Sequence, residues 1–445
     1  MNTPIIDFVN EYNKKDISRL HMPGHKGRAL LGFEKLDITE IGGADELYEA
    51  DGIILESENN ASSLFGSAHT FYSCEGSSLT IKAMLNIALQ ASFSKNPYII
   101  AARNVHKTFI FGCALLGIDV KWLYPMDGCS LCECPVQSSE LEKILLEEKE
   151  KPIGVYLTSP DYLGNIQDIK SISSVCKKHG VPLLVDNAHG AYLRFLKPSL
   201  HPIDLGADIV CDSAHKTLPS LTGGGYLHIS ESAPKKFLNS ARMSLALFAS
   251  TSPSYLILQS LDVCNAYLAD NYAEKLFAII AKIDALKDKL VSYGWTLRKT
   301  EKLKIVIDAV ASNVDGNDIM EELRRNKVEC EFGSFEHIVM MFTPESREID
   351  FERIENALAD KSKFKTSEFL PNLRIYPGEN KLSIREAVLS PFEMIDVKDS
   401  VGRVCASPTV SCPPAVPVAI SGEIITENSV KICELFGIEK IAVVK

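Results

Sequence analysis

Between residues 60 and 230 the apolar positions switch repeatedly between two patterns. Short runs rich in β-branched and aromatic residues read as strands. They are Thr70-Phe71-Tyr72-Ser73-Cys74, Tyr98-Ile99-Ile100-Ala101, Asp119-Val120-Lys121-Trp122-Leu123 and Gly154-Val155-Tyr156-Leu157-Thr158. Val181-Pro182-Leu183-Leu184-Val185, Ala207-Asp208-Ile209-Val210-Cys211 and Gly225-Tyr226-Leu227-His228-Ile229 continue the series. Between several of these runs the apolar residues recur at helical spacing, which predicts helices over 79–92, 106–116 and 168–179. Repeated β-α-β units imply an α/β fold with a mostly parallel sheet. The ligand site of such a sheet lies at the carboxyl ends of its strands.

Beyond this series the period changes. Residues 254–267 and 273–293 read as long helices. From Trp295 shorter strands (303–309, 337–342) alternate with helices (315–325, 350–359), the pattern of a smaller α/β domain. The organisation predicted is an N-terminal arm over 1–40, a large domain over 41–293 and a small C-terminal domain over 294–445. The arm contains Arg19-Leu20-His21-Met22-Pro23-Gly24-His25-Lys26-Gly27-Arg28, too rich in turn-forming and charged residues for a core helix or strand. The tail holds a Pro-rich loop, Ser411-Cys412-Pro413-Pro414-Ala415-Val416-Pro417. No repeat and no low-complexity segment is visible.

The 445 residues suffice for two or three domains with a large core. A net charge of −11 argues against nucleic acid or an anionic membrane as partner. The N-terminus lacks a basic region followed by an apolar one, and no apolar run reaches the ~18 residues of a membrane span. Twelve cysteines are scattered, mostly in apolar contexts, and read as reduced thiols of a cytoplasmic protein. Cys129-Ser130-Leu131-Cys132-Glu133-Cys134 opens with metal-ligand spacing, but no second pair accompanies it. His21 and His25 are separated by Pro23 and Gly24, which does not suit one helical face. No metal site is expected.

Candidate chemistry concentrates at two strand ends. Ser213-Ala214-His215-Lys216 follows one apolar run and Asp186-Asn187-Ala188-His189 follows the run before it. A lysine can form a Schiff base with an aldehyde cofactor, and an aspartate can pair with a protonated pyridine nitrogen. Alone, the lysine reads as a surface residue and the aspartate as a turn or cap. Together, in this order, they are the pairing expected for pyridoxal phosphate. Gly76-Ser77-Ser78, between a strand and a helix start, offers free amides and two hydroxyls to a phosphate, though the same turn is also an ordinary helix cap. His106 can stack on a planar ring, or serve as a helix-start residue. Ala188 leaves room for the opposite ring face, and Ser213 and His215 add donors for the phosphate.

These residues resemble the Orn/Lys/Arg decarboxylase family of fold type I pyridoxal phosphate enzymes, in its short bacterial form without a wing domain. The matching segments are His21-Met22-Pro23-Gly24-His25-Lys26-Gly27, Gly76-Ser77-Ser78, Asn104-Val105-His106-Lys107, Asp186-Asn187-Ala188-His189-Gly190 and Ser213-Ala214-His215-Lys216-Thr217-Leu218. Thr251-Ser252-Pro253-Ser254-Tyr255 and Cys412-Pro413-Pro414 with Gly422-Glu423 also match. The resemblance implies an aspartate aminotransferase-like large domain and the decarboxylation of a basic amino acid, with polyamine synthesis as the expected role. Lys216 would carry the cofactor, Asp186 would hold its ring nitrogen protonated, and His106 would stack on the ring. Ser77, Ser78, Ser213 and His215 would bind the phosphate, and His189 would lie near the substrate.

The family forms homodimers or larger assemblies with the active site at the subunit interface. That implies reach into a neighbour's site for the arm around His25 and the segment around Ser252. A cationic substrate needs a carboxylate or an aromatic face opposite it; among carboxylates Glu423 is the first candidate and Glu386 the second. Departures from the pattern are Pro-Pro-Ala415-Val416-Pro where the family often has Pro-Pro-Gly-Ile-Pro, and Ser421-Gly422-Glu423 for Pro-Gly-Glu. Two other readings share these residues: an aminotransferase or aldolase on the same fold, and a non-catalytic relative.

Overall fold

The computed structural model describes all residues except 127–128, 367–375 and 411–414, and of 409–410 the backbone alone. Most of the Pro-rich loop, Ser411 to Pro414, therefore lies outside the described residues. In chain order the first part comprises α1 (Pro4–Lys14), α2 (Ile53–Phe65), β1 (His69–Ser73), α3 (Gly76–Gln90), β2 (Tyr98–Ala102), α4 (Lys107–Leu116) and β3 (Asp119–Leu123). There follow α5 (Ser138–Glu147), β4 (Val155–Thr158), α6 (Ile169–His179), β5 (Leu183–Asp186), β6 (Ile209–Asp212), α7 (Ala214–Thr217), β7 (Gly225–Ile229), α8 (Lys235–Ala246) and α9 (Tyr255–Ala269). Every strand expected from the periodicity is present. Helix α3 begins three residues earlier than predicted, because the Gly76-Ser77-Ser78 turn is itself its first turn.

The chain forms two compact units. One comprises Met1–Ile99, Gln137–Leu157 and Asp168–Ala273, and the other Ile100–Val136, Thr158–Gln167 and Glu274–Lys445. In the first unit the strands lie in the order β1-β7-β6-β5-β4. Strands β5 and β6 are parallel, with Asp186 opposite Cys211, while β7 runs antiparallel to both β6 and β1. Every residue of β5, β6 and β7 is buried. Burial on both faces is why these strands read as unbroken apolar runs rather than alternating ones. Helix α3 packs against β6, β7 and α8.

Helix α1 starts with proline, whose missing N–H costs nothing at that position. Its buried stripe is Ile5, Val9 and Tyr12. It is tied down by Asp262 of α9, whose Oδ2 accepts from the amides of Ile5 (2.9 Å) and Ile6 (3.1 Å). The arm beyond it is irregular, as its composition predicted, and leaves Leu20, Leu30 and Leu31 exposed.

The second unit continues with α10 (Tyr272–Ser292), β8 (Lys304–Asp308), α11 (Gly316–Arg325), β9 (Phe332–Gly333), β10 (His337–Met341) and α12 (Glu348–Leu358). After them come α13 (Ile384–Leu389), β11 (Phe392–Asp396), β12 (Thr409–Val410), β13 (Pro417–Ala419), α14 (Glu427–Leu435) and β14 (Lys440–Val444). An antiparallel sheet ordered β8-β10-β9 and two ribbons, β11-β14 and β12-β13, form its framework. Among the described residues no helix is long and apolar enough to cross a membrane.

Candidate active site

Parallel pairing of β5 with β6 sets the two chemistry-bearing loops side by side. Asp186 is the last residue of β5 and is 3% exposed. Its Oδ1 accepts from the Ala188 amide at 3.1 Å and its Oδ2 from the Tyr156 hydroxyl at 3.3 Å. Burial pushes its pKa up; the charge of Lys216 and these hydrogen bonds pull the other way. A carboxylate so desolvated gains most from a cationic partner. Lys216 lies in the one-turn helix α7 directly after β6. Its Nζ is 3.1 Å from Nε2 of His189, which is buried on the β5 loop. Three of the sequence-predicted residues, Asp186, His189 and Lys216, are thus brought together, and Ala188 is buried between two of them in sequence.

The start of α3 forms the second part. No side chain caps this helix, and the partial positive charge of a helix start favours an anion. Gly76 has φ +61°, a conformation that favours glycine. Its amide donates to the Gly223 carbonyl at 2.7 Å. A Cβ placed on Gly76 would meet Cε1 of His215 at 3.4 Å, so the His215 ring lies beside the helix start. His215 Nδ1 donates to the Gly224 carbonyl at 2.8 Å, which fixes the ring. Ser213 is buried, Ser77 half-buried and Ser78 exposed. The Gly223-Gly224-Gly225 run makes this approach possible: a Cβ on Gly225 would come within 3.1 Å of the Gly76 backbone. That run, and Tyr156 beneath Asp186, are contributors the sequence reading did not single out. Three successive glycines before an apolar run were the available signal for the first; nothing marked the second.

The remaining candidates have other surroundings. Ser252 sits exposed in a loop whose Ser250 amide donates to Glu75 Oε1 at 2.9 Å, next to the start of α3. His25 lies in the arm, where its Nδ1 accepts from the Gly27 amide (3.0 Å) and its Nε2 is 3.1 Å from Asp37 Oδ2. In the second unit His106 is the N-cap of α4, its Nδ1 accepting from the Thr108 amide at 3.2 Å. Glu386 is exposed and forms a capping box with Ser383 at the start of α13, which lowers its pKa.

Glu423 is buried. Its Oε2 accepts from the Ile420 amide at 2.9 Å and lies 3.6 Å from Nη2 of Arg103, while its buried Oε1 has no hydrogen-bond partner among the described residues. Cys132 and Cys134 are buried and Cys129 half-buried. Burial raises all three thiol pKa values, that of Cys134 to about 11, which disfavours the thiolate a metal would need.

A family model described as Orn/Lys/Arg decarboxylase, major domain, matches residues 3–360. An uncharacterised Bacillus subtilis protein, YaaO, is 30% identical, with 97% of this chain and 93% of the relative covered. A Bacillus subtilis arginine decarboxylase is 27% identical, over 96% of this chain and 92% of the relative. Among solved structures, the constitutive lysine decarboxylase of Escherichia coli matches with a TM-score of 0.77 at 16% identity, over 100% of this chain and 82% of that one. The Francisella novicida lysine decarboxylase LdcF gives 0.80 at 17% identity, over 100% and 81%. Such low identities speak for the fold, which is that of the fold type I enzymes.

Proposed function

The chain belongs to the Orn/Lys/Arg decarboxylase family, and on that premise we propose that it converts a basic L-amino acid into the corresponding amine and CO2. Arginine, lysine and ornithine are the substrates considered. Arginine comes first, because relatives aligned over nearly their full length are named arginine decarboxylases. The observation that carries the reading is the adjacency of buried Asp186 and the Lys216–His189 pair at the ends of β5 and β6.

The cofactor of this family is pyridoxal phosphate, and the residues present fit it. An uncapped helix start with a glycine at φ +61° and the His215 ring alongside suits a phosphate. A desolvated carboxylate suits a protonated ring nitrogen, and a lysine amine stands beside it. When bound, the cofactor supplies an electron sink for the pair left on Cα as CO2 departs.

The protein's own part is binding, orientation and proton placement. The start of α3, with Ser77, Ser78, Ser213 and His215, would hold the phosphate. Asp186 keeps the ring nitrogen charged; Ala188 and Tyr156 hold the carboxylate in place through their hydrogen bonds. Nζ of Lys216 lies 3.1 Å from Nε2 of His189, a contact that holds the amine beside the β5 loop, where the cofactor would attach. With the cofactor and substrate bound, Nζ of Lys216 would be the group to return a proton to Cα. Homodimerisation, a cytoplasmic location and a role in polyamine synthesis complete the proposal; free thiols at all described cysteines support the location.

The test is CO2 and amine release by the purified, pyridoxal-phosphate-loaded protein given each of the three amino acids in turn, with visible absorbance followed. One amine formed alongside a bound-cofactor band supports the reading. A band with keto-acid product and no amine would replace it with an aminotransferase.

A further inference from the structure

Asp212 ends β6, directly before the turn that carries Lys216, and is fully buried. Its carboxylate faces three donors. Nε2 of His201 and Nε2 of His228 lie 3.0 and 3.1 Å from Oδ2, and Nδ2 of Asn187 lies 2.7 Å from Oδ1. All three partners are 0% exposed. The His201 tautomer follows from its other side: Nδ1 accepts from the Ile203 amide at 3.3 Å, so the ring proton sits on Nε2 and is donated to Asp212. Nδ1 of His228 is bonded to Thr70 Oγ1 at 2.8 Å. The three ligand-type residues lie close together, yet His201 has no lone pair left for a metal ion. The cluster is a hydrogen-bonded anchor around one carboxylate.

What it anchors is Asn187. That residue stands between Asp186 and His189, and among the described residues its buried amide oxygen has no hydrogen-bond partner, so the bond to Asp212 orients the side chain. Its backbone amide donates to the Cys211 carbonyl at 2.9 Å, and its carbonyl accepts from the Gly190 amide at 2.7 Å. Asp212 is thereby joined to both halves of the site: through Asn187 to the loop bearing Asp186 and His189, and through the chain itself to the turn bearing Lys216.

We propose that Asp212, braced by His201 and His228, is a positioning residue that clamps Asn187 and so sets Asp186 and His189 against Lys216. This rests on the assignment of those three residues to pyridoxal phosphate. An apolar residue at 212 would leave the buried donors of Asn187, His201 and His228 without an acceptor. A buried carboxylate with three donors instead specifies one orientation, at a desolvation cost that packing alone does not require.

The experiment is a double-mutant cycle on the holoenzyme with Asp212→Asn and Asn187→Ala. It reads the visible circular dichroism of bound pyridoxal phosphate, the rate of cofactor loss on dilution, and kcat and KM separately. Each single variant is expected to lower the dichroism, to speed cofactor loss about 10-fold or more, and to reduce kcat with KM little changed. The double variant should be no worse than the worse single one. Effects that multiply, or single variants with wild-type dichroism and cofactor loss, would overturn the clamp. If Asp212→Asn does not fold, Asp212→Glu, which keeps the charge and moves it, takes its place with the same expectations. A wild-type protein that binds no pyridoxal phosphate would instead undo the assignment of Lys216. The clamp is then judged by amide hydrogen exchange over 186–190, which must rise in Asn187→Ala; unchanged exchange overturns it.

Discussion

Replacing Arg103 with methionine removes the positive partner of a buried carboxylate. Arg103 is 1% exposed; its Nη1 donates to the Pro417 carbonyl at 2.8 Å and its Nη2 to the Val418 carbonyl at 3.2 Å. Nη2 also lies 3.6 Å from Glu423 Oε2, and the guanidinium sits 5.7 Å from the Trp122 ring centre. Methionine keeps much of the volume but none of the donors. Breaking a buried ion pair from one side costs about 3–5 kcal/mol, mostly because the other charge is stranded. The 3.6 Å separation makes this pair electrostatic rather than hydrogen-bonded, which points to the lower half of that range; the two orphaned carbonyls restore part of it. The expectation is a loss of about 4 kcal/mol, near a 1000-fold fall in the folded-to-unfolded ratio.

Guanidinium denaturation followed by tryptophan fluorescence is the assay, since both tryptophans, Trp122 and Trp295, lie in the second unit. In Arg103→Met/Glu423→Gln the stranded charge is gone, and about half of the loss should return. A single variant costing less than about 1 kcal/mol, or a double variant no more stable than the single, would refute the reasoning. Glu423→Gln alone decides the residue's role. A partner of Arg103 shows up as lowered stability with an unchanged KM, a receptor for the substrate's cationic end as a raised KM.

Lys216→Ala should abolish the visible band of bound cofactor and all amine release; an unchanged spectrum would remove Lys216 from its role. Asp186→Asn can still accept from the Ala188 amide but loses the charge. It should lower kcat roughly 100-fold, about 2.7 kcal/mol, with cofactor affinity much less affected; steady-state kinetics beside cofactor titration checks this. Glu336 supplies a pH prediction: burial, with the charge of Asp308, raises its pKa from 4.5 to about 7 against an opposing hydrogen bond from Ser130. The folded state therefore binds this proton more tightly than the unfolded one. The stability it confers is full below pH 4.5 and is lost as pH rises through about 7. Glu336→Gln should be more stable than wild type by up to roughly 3 kcal/mol at pH 8 and equal to it near pH 4.5, measured by urea unfolding at both.

The parts legible in the sequence are those whose cause is local. Leu183-Leu184-Val185 and Ile209-Val210-Cys211 are apolar because each strand is covered on both faces, so the runs and the polar residues ending them stand out. Asp186 and Lys216 were found that way. The capping box Ser383-Ile384-Arg385-Glu386 was equally local, yet Glu386 stands among the substrate candidates of the sequence reading, its capping spacing passed over. The Asp212 anchor was not readable, because its members meet only through register. Antiparallel pairing of β6 with β7 sets Tyr226 opposite Asp212. His228, two residues on, then shares that face of the sheet and reaches Asp212 diagonally. A series read as parallel strands gives no reason to bring positions 212 and 228 together. Arg103 was hidden for the same reason: an arginine after Ala101-Ala102 looks like an ordinary strand end until the carbonyls of Pro417 and Val418 and the carboxylate of Glu423 are brought onto it. What stays unread is each polar group's distant partner, and in this chain the partner decides whether a carboxylate meets neutral donors, as Asp186 meets the Ala188 amide and the Tyr156 hydroxyl, or a cation, as Glu423 meets Arg103.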